Sequence, residues 1–464
     1  MESYQAADFD GLDFSIAMTG ELDDALAAHF GRDSLQEDLA FAYWRPSKGS
    51  CRYTAVLHAL CLPGEDEHIL HGNVAFTPEY LSRVIEECPA GSGIAFLHGH
   101  PGPGWQGMSE DDIVAERDRL AGLVAGATGL PLVGLTWGTD RTWSGRLWLR
   151  VGRHQYERRW CTTIRSVGRR LRMSFHPQLA PPPATPEAQV ATASVWGEGA
   201  QQDIARVQVG IVGLGSVGSI VAEALSRTGV GDLSFIDHDF IEERNLDRTL
   251  GAKPSLLGRS KVASAQELVE TSHTAEAFRV TAVEASLLDE AGLAAALDCD
   301  VLFSCVDRPL PRHVLNLLAY SHLIPVVDGG ILARVDERGR LVHVDWRIHT
   351  VGPEQACLYC LGALRRSDVA LDRDGKLDDP DYLNGLSPAD RERYGRRNVF
   401  AFSLSVAAHE VLQFVGLLTG NPRVGGIGPQ TYHAFPGEMA VTPNPVCAAD
   451  CDIAPLTAQA PRLQ

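Results

Sequence analysis

The segment VQVGIVGLGSVGSIVAEAL at 207–225 constrains this chain most. Its β-branched start reads as a strand, and Gly213, Gly215 and Gly218 sit where that strand turns into a helix. A helix entered this way offers unpaired backbone N–H groups to a phosphate, with no side chain to hold it off. From about residue 201 the strands VQVGIVG, LSFID, FRVTAV, DVLFSC and IPVVDGG alternate with helices starting near Ser216, Arg259, Asp289 and Pro311. Such alternation predicts an α/β fold with a Rossmann-like, doubly wound parallel sheet. Beyond it ILARVDERGRLVHVDWRI reads as a hairpin, residues 365–397 as a polar stretch, and SLSVAAHEVLQFVGLLTG as an apolar helix.

A chain of 464 residues exceeds one ordinary core and predicts two domains. Ahead of the parallel sheet, LAFAYW, YTAVLHALCL, GIAFLHGH, LVGLTWG and GRLWLRV read as strands, with helices near 77–88 and 109–125, an α+β pattern over 1–155. Residues 156–200 read as a linker, basic up to about Arg172 and Pro-rich in HPQLAPPPATPEAQ. The second domain runs over 201–455 and leaves a tail at 456–464. No low-charge apolar run approaches the roughly 18 residues of a membrane span, and no basic, apolar leader follows Met1, so the expected setting is cytoplasmic, with no membrane partner. A net charge of -18 argues against general nucleic-acid binding, whose affinity comes from Lys and Arg on phosphates. The 10 cysteines argue for free thiols or metal ligands rather than a disulfide framework.

The residues around the glycine turn decide which nucleotide it serves. Asp237 lies 24 residues after Gly213 at the end of the next strand, where an acid meets the ribose of NAD or ATP alike. FIDHDFIEERNLDRT, GRSKV and FSCVDRP add Asp239, Asn245, Arg248, Lys261 and Asp307 at the same end. A dinucleotide's pyrophosphate does not need so many charged groups. Attack by a carboxylate on the α-phosphate of ATP does, because two anions must meet and the departing pyrophosphate gains charge. Asp307, past the fourth strand, is placed to hold Mg²⁺, and an ionised carboxylate needs no general base.

Over 200–451 these residues resemble the ThiF/MoeB/HesA family and the adenylation core of ubiquitin-activating enzymes, whose pattern is GxGxxG, DxD, NxxR, Lys and a later Asp. The resemblance implies ATP-dependent adenylation of the C-terminal carboxylate of a ubiquitin-like or sulfur-carrier protein ending in Gly, carried out by a homodimer. It places Gly213, Gly215, Gly218, Asp237, Asp239, Asn245, Arg248 and Lys261 on ATP and Asp307 on Mg²⁺. It also implies that Cys357, Cys360, Cys447 and Cys451, in CLYC and CAADC, close a structural Zn²⁺ site, which holds loops together and does no chemistry.

FLHGHPGPGWQGMSEDD carries a second chemistry. His98 and His100 are two apart at a strand end and so face one side, and Asp112 arrives on the next helix. Two imidazoles and a carboxylate leave a fourth tetrahedral position open, the arrangement of a catalytic Zn²⁺. Ser109 is placed to donate to a developing oxyanion, and Asp111 competes with Asp112 as ligand. Over about 150 residues this resembles the JAB/MPN (JAMM) metallopeptidases, whose pattern is an upstream Glu, then His-x-His-Pro, then Ser-x-x-Asp. The resemblance maps the water-activating Glu onto Glu37, with Asp38, Glu65 and Glu67 as alternatives. Eight residues separate His100 from Ser109 where the family has seven, and the Gly/Pro-rich loop absorbs the extra one.

Two departures matter. Ubiquitin-activating enzymes carry a nucleophilic Cys on a crossover loop between the zinc pairs, and 361–446 contains none. The module then stops at the adenylate, passes it to a partner's nucleophile, or uses a hydroxyl of Ser387, Ser403 or Ser405. Of the Arg-Gln start that precedes the family's first strand, only Arg206 is present. Cys51, Cys61, Cys88, Cys161, Cys299 and Cys305 read mainly as core residues, with Cys161 in a basic segment that lowers a thiol pKa. The combined expectation is a bifunctional enzyme that activates a modifier at one site and processes or deconjugates it at the other, with a conjugating-enzyme-like partner. Such fusions resemble proteins of prokaryotic ubiquitin-like operons, some linked to antiphage defence. Sulfur-carrier activation for cofactor synthesis and an inert modifier-binding scaffold are the alternatives.

Overall fold

Period-two alternation in LAFAYW sends Ala40, Ala42 and Trp44 into one buried core and Leu39, Phe41 and Tyr43 into another, so this strand is covered on both faces. The computed structural model describes residues 4–31, 37–71, 73–336, 338–387, 391, 394, 397–421, 423, 428–443 and 445–461. It divides into two compact units, Met1–Pro182 with Ser321–Leu323 and Leu456–Gln464, and Pro183–Tyr320 with Ile324–Pro455.

The first unit contains β1 (Asp13–Thr19), β2 (Leu39–Lys48), β3 (Arg52–Cys61), β4 (His68–His71), β5 (Asn73–Phe76), β6 (Gly93–Gly99), β7 (Leu132–Trp137), β8 (Trp143–Gly152), β9 (Gln155–Trp160), β10 (Thr163–Val167) and β11 (Leu171–Phe175). Nine of them form one sheet in the order β11-β10-β1-β3-β2-β6-β7-β8-β9, and β4 pairs with β5. The helix Gly20–Phe30 supplies Leu22, Leu26 and Phe30 to one face, and Pro78–Glu86 with the helical run 114–128 supplies Tyr80, Val84, Leu120 and Val124 to the other. Thr77 caps the helix Pro78–Glu86, its hydroxyl accepting from the Tyr80 N–H (3.3 Å).

The structure corrects several expectations. Residues 155–175, read in the main as linker, are strands of the sheet. Their basic residues misled because β9 is an edge strand that keeps one face half-buried, with Arg158 stacked 4.4 Å over Trp160. The irregular connection shortens to the Pro-rich segment, since helices Val190–Trp196 and Glu198–Arg206 follow it. Leu456–Gln464 groups with the first unit rather than forming a separate tail. Cys51 is exposed, and Cys161 is fully buried, so burial pushes its pKa up rather than the basic segment pulling it down.

The second unit has a mixed α/β fold. Its strands are β12 (Gln208–Val212), β13 (Asp232–Ile236), β14 (Arg279–Val283), β15 (Val301–Ser304), β16 (Val326–Val335), β17 (Leu341–Val351), β18 (Gln430–His433) and β19 (Glu438–Val441). The order is β14-β13-β12-β15-β16-β17-β18-β19, parallel from β14 to β16 and antiparallel beyond. The chain leaves β12 toward β13 and β14, then returns to its other side as β15. The carboxyl ends of β12 and β15 therefore border the crevice where α/β sheets bind ligands. The helix Phe400–Thr419 lies against β16, β17 and the helix Gly218–Thr228. By length and composition it is apolar enough to cross a membrane, which corrects the expectation that no run reaches that length.

Candidate functional site

At the end of β12 the chain enters the helix Gly218–Thr228 through a turn pressed against the end of β15. Gly213 has φ +90°, in the left-handed region, and a Cβ on it would stand 2.7 Å from the carbonyl oxygen of Cys305. A Cβ on Gly218 would overlap the carbonyl oxygen of Gly213, whereas one on Gly215 would meet nothing within 4 Å. Gly213 and Gly218 serve the packing of the turn, and Gly215 leaves its outer side open to a ligand.

Asp237 follows β13. Its Oδ2 accepts from the Leu214 N–H (2.6 Å) and its Oδ1 from the Asp239 N–H (2.8 Å), so this carboxylate fastens the glycine turn. Lys261 opens the helix Lys261–Glu270 and donates to Asp239 Oδ2 (2.7 Å). Burial works to raise the Asp239 pKa, but the Lys261 ammonium outweighs it and holds the carboxyl below its ordinary value. Asn245 accepts from the Glu242 N–H (2.9 Å), and Arg248 pairs with Asp247 (3.1 Å). Two residues on, the Leu250 N–H donates to Ser219 Oγ (3.0 Å), which ties this segment to the start of the Gly218–Thr228 helix. Leu214, Thr249, Leu250 and Lys261 line a common pocket. Asp307 is exposed just past the end of β15. Arg206 is paired with Asp203 on its own helix.

Sequence reasoning missed a charged group in this unit. Asp328, fully buried, accepts from Arg312 Nε (3.0 Å) and Arg347 Nη1 (3.0 Å). Glu410 is fully buried close by, and burial together with the Asp328 charge pushes its carboxyl well up from the usual range. The one signal was a Glu inside an otherwise apolar helix. Asn398 was missed too: its Nδ2 donates to Ser216 Oγ in the glycine turn and to Ser403 Oγ, both at 2.8 Å. Ser403 is fully buried, Ser405 is half-buried with its hydroxyl donating to the Ala401 carbonyl (3.2 Å), and Ser387 is exposed. Parts of the stretch around these serines lie outside the described residues.

Cys357, Cys360, Cys447 and Cys451 come together with their sulfurs all within 4.8 Å. Backbone N–H groups of Cys357, Ala448 and Ile453 point at the sulfurs of Cys447, Cys360 and Cys451 at 3.3–3.4 Å. Tetrahedral Zn–S bonds of about 2.3 Å put sulfurs about 3.8 Å apart; Cys357 and Cys451 are at 3.7 Å. The set fits Zn²⁺.

In the first unit, His98 is the last residue but one of β6, His100 follows the strand, and Asp112 lies in the helix Glu110–Ile113. Their ligating atoms stand at 3.2 Å (His98 Nε2 to His100 Nε2), 3.4 Å (His98 Nε2 to Asp112 Oδ1) and 3.5 Å (His100 Nε2 to Asp112 Oδ2). Tetrahedral Zn–N and Zn–O bonds of about 2.0–2.1 Å put donors about 3.3 Å apart, so this set fits Zn²⁺ as well. Asp112 rather than Asp111 is the carboxylate brought to the histidines. Ser109 caps the helix: its Oγ accepts from the Asp112 N–H (3.1 Å) and its own N–H donates to Asp112 Oδ2 (2.7 Å), which aims that carboxylate. Hydrogen bonding by Asp112, against burial, raises the His100 pKa, and the nearby Glu37 charge adds to it. Among the alternatives to Glu37, Glu67 is bound to Arg83 (2.8 Å), Glu65 is exposed, and Asp38 is buried beside His29 (3.4 Å) and His68 (3.8 Å). Gln106 Nε2 donates to the carbonyls of Gly102, Pro103 and Gly104, which folds the one-residue-longer loop back on itself.

Residues 187–413 match the ThiF family. That range contains every nucleotide-end residue from Gly213 to Asp307 and the first cysteine pair. The molybdopterin-synthase adenylyltransferase of Escherichia coli (strain K12) is 30% identical over 165 residues, 35% of this chain and 62% of that protein. The ubiquitin-like modifier-activating enzyme 5 of Rattus norvegicus is 35% identical over 118 residues, 23% of this chain and 29% of that protein. The chain spans less than two thirds of the length of these curated relatives. Among solved structures, E. coli MccB with ATP aligns at 15% identity and a TM-score of 0.41, covering 55% of this chain and 69% of that one. The comparisons show that residues 187–413 are similar to the ThiF family.

Proposed function

We propose that the second unit adenylates the C-terminal carboxylate of a ubiquitin-like or sulfur-carrier protein ending in Gly, and that the first unit is a zinc-dependent peptidase that processes or removes the same modifier. The observation that carries the first half is the ThiF match falling on an open glycine turn whose Leu214 lines a common pocket with Lys261. A carboxylate oxygen of the modifier bonds to the α-phosphorus of ATP as the bond to the bridging oxygen breaks, and pyrophosphate leaves with the electron pair. Lys261 and Arg248 are the cations that let two anions approach, the turn's amides hold the phosphates, and Asp307 would hold Mg²⁺. With no cysteine in 361–446, transfer beyond the adenylate goes to a partner's nucleophile or to a hydroxyl, the exposed Ser387 or the half-buried Ser405. A homodimer, a conjugating-enzyme-like acceptor and a cytoplasmic setting belong to the same reading.

ATP–pyrophosphate exchange, run with candidate carriers, tests it. Carrier-dependent exchange is expected, and Lys261→Ala is expected to lower its rate by about 10²–10³-fold, the scale of losing one charge-stabilising group. Exchange that survives Lys261→Ala would overturn the assignment.

In the first unit, His98, His100 and Asp112 would hold Zn²⁺, which when bound polarises a scissile carbonyl and makes a nucleophile of water. With the metal bound, Glu37 would be the group that accepts a proton from water, and Ser109 steadies Asp112. His98→Ala is expected to abolish cleavage of a modifier fusion and to lower zinc content from two equivalents per chain to one, about 10²-fold or more in activity. Cleavage and zinc content both unchanged would sink the peptidase reading, and inertness of both units with every carrier tried would favour a scaffold.

A further inference from the structure

The glycine turn from Gly213 to Gly218 has one polar side chain, that of Ser216. The Ser219 N–H donates to the Gly215 carbonyl (3.1 Å), so helical bonding already spans Ser216 and sets it at the mouth of the helix Gly218–Thr228. Ser216 is half-buried and adjoins Gly215, the glycine whose outer side is open. Its Oγ accepts from Asn398 Nδ2 (2.8 Å), and the same nitrogen donates its second hydrogen to Ser403 Oγ (2.8 Å). Ser403 is fully buried on the helix Phe400–Thr419, which packs against the helix Gly218–Thr228. The amide is thereby held from a fixed point in the core.

Where the hydrogens go decides what this contact can do. Asn398 Oδ1 is buried and has no partner among the described residues. Turning the amide over would put its nitrogen in that place and bury two N–H groups without an acceptor, which costs more than one carbonyl oxygen without a donor. The nitrogen therefore faces both hydroxyls. A hydroxyl that accepts still has its own hydrogen to donate. Among the described residues nothing accepts from Ser216, and the Asn398 N–H keeps that hydrogen from pointing back at the amide. A phosphate at the open turn is an acceptor with no hydrogen to offer, and donation passed from amide to hydroxyl to anion strengthens each bond in the series.

We infer that Ser216 is a further phosphate donor of the adenylation site, and that Asn398, anchored on Ser403, is the positioning residue that turns the Ser216 hydrogen toward the nucleotide. The inference rests on the ATP reading above. It also gives Ser403 a use other than attack on the adenylate, since its oxygen holds the amide in place.

The test uses the full chain in wild-type, Ser216→Ala, Asn398→Ala and doubly substituted forms, with ATP and adenosine as probes in calorimetric titration. Ser216→Ala is expected to weaken ATP binding about tenfold, the scale of one hydrogen bond to a charged group. Asn398→Ala keeps the hydroxyl but frees its direction, and a loss of about three- to tenfold is expected. The double variant is expected to bind ATP no more weakly than Ser216→Ala alone, because Asn398 acts only through Ser216. Adenosine, which has no phosphate, is expected to bind every form alike. Unchanged ATP affinity in Ser216→Ala, or losses that add in the double variant, would overturn the inference. An equal loss for adenosine would overturn it too, because that marks a distorted turn rather than a lost phosphate contact. Carrier-dependent exchange separates this contact from the reading it rests on: a wild-type chain that shows the ATP losses but exchanges with no carrier would remove the adenylation and keep the phosphate donor, and a wild-type chain that does not bind ATP would remove both.

Discussion

Glu116→Ala is expected to cost about 3–5 kcal/mol of stability in the first unit, measured by chemical denaturation of the full chain, because it strands a charge in a dry interior. Arg146 is fully buried, and its Nε and Nη2 lose their acceptor in this variant. Trp148 Nε1 loses its acceptor as well. Removing both charges in Glu116→Ala/Arg146→Ala is expected to cost less than the sum of the single changes, since neither partner is then left alone. Strict additivity, or a loss under about 1 kcal/mol in the single variant, would mean that water reaches the pair and that the buried geometry is wrong.

The second large effect separates two glycines that look alike in the sequence. Gly218→Ala puts a methyl group into the carbonyl oxygen of Gly213 and 3.1 Å from Cys305 Cβ. The nearest obstacle is backbone, held by the Leu214–Asp237 and Cys305–Val212 hydrogen bonds, so it gives way only by distorting the turn. A loss of about 3 kcal/mol in the second unit is expected, with exchange activity falling alongside it. Gly215→Ala meets nothing within 4 Å, and its stability is expected to stay within about 0.5 kcal/mol of wild type. ATP affinity is expected to drop about tenfold in that variant, because the methyl group occupies the side from which a phosphate approaches. Calorimetric binding beside thermal denaturation reads both. A Gly215→Ala chain that binds ATP as tightly as wild type would remove the nucleotide from this turn.

Both sites were legible to different depths. His98 and His100 could be paired from strand alternation, and Ser109 and Asp112 follow the capping-box spacing that the structure shows. These are local rules, in which spacing along the chain fixes direction in space. Glu116, Thr136 and Arg146 had no such rule. They sit on a helical turn and two strands and meet through tertiary packing, and each alone is an ordinary residue. The stretch 155–175 was misread for a related reason, because Arg and Trp alternating on an edge strand score as a basic segment until one knows which face is covered.

By itself the sequence determined the parallel strand–helix repeat, the glycine turn and the identity of the donor atoms, since periodicity and residue chemistry are properties of neighbours along the chain. Only the tertiary structure decided that Asp112 rather than Asp111 joins the histidines, that Asp237 fastens the glycine turn, that Ser403 is shut away from any incoming chain, and that Asn398 reaches Ser216 in the glycine turn. Each of these depends on burial or on a contact between distant segments. A linear pattern carries no record of which side chains will share the same few ångströms once water has been excluded.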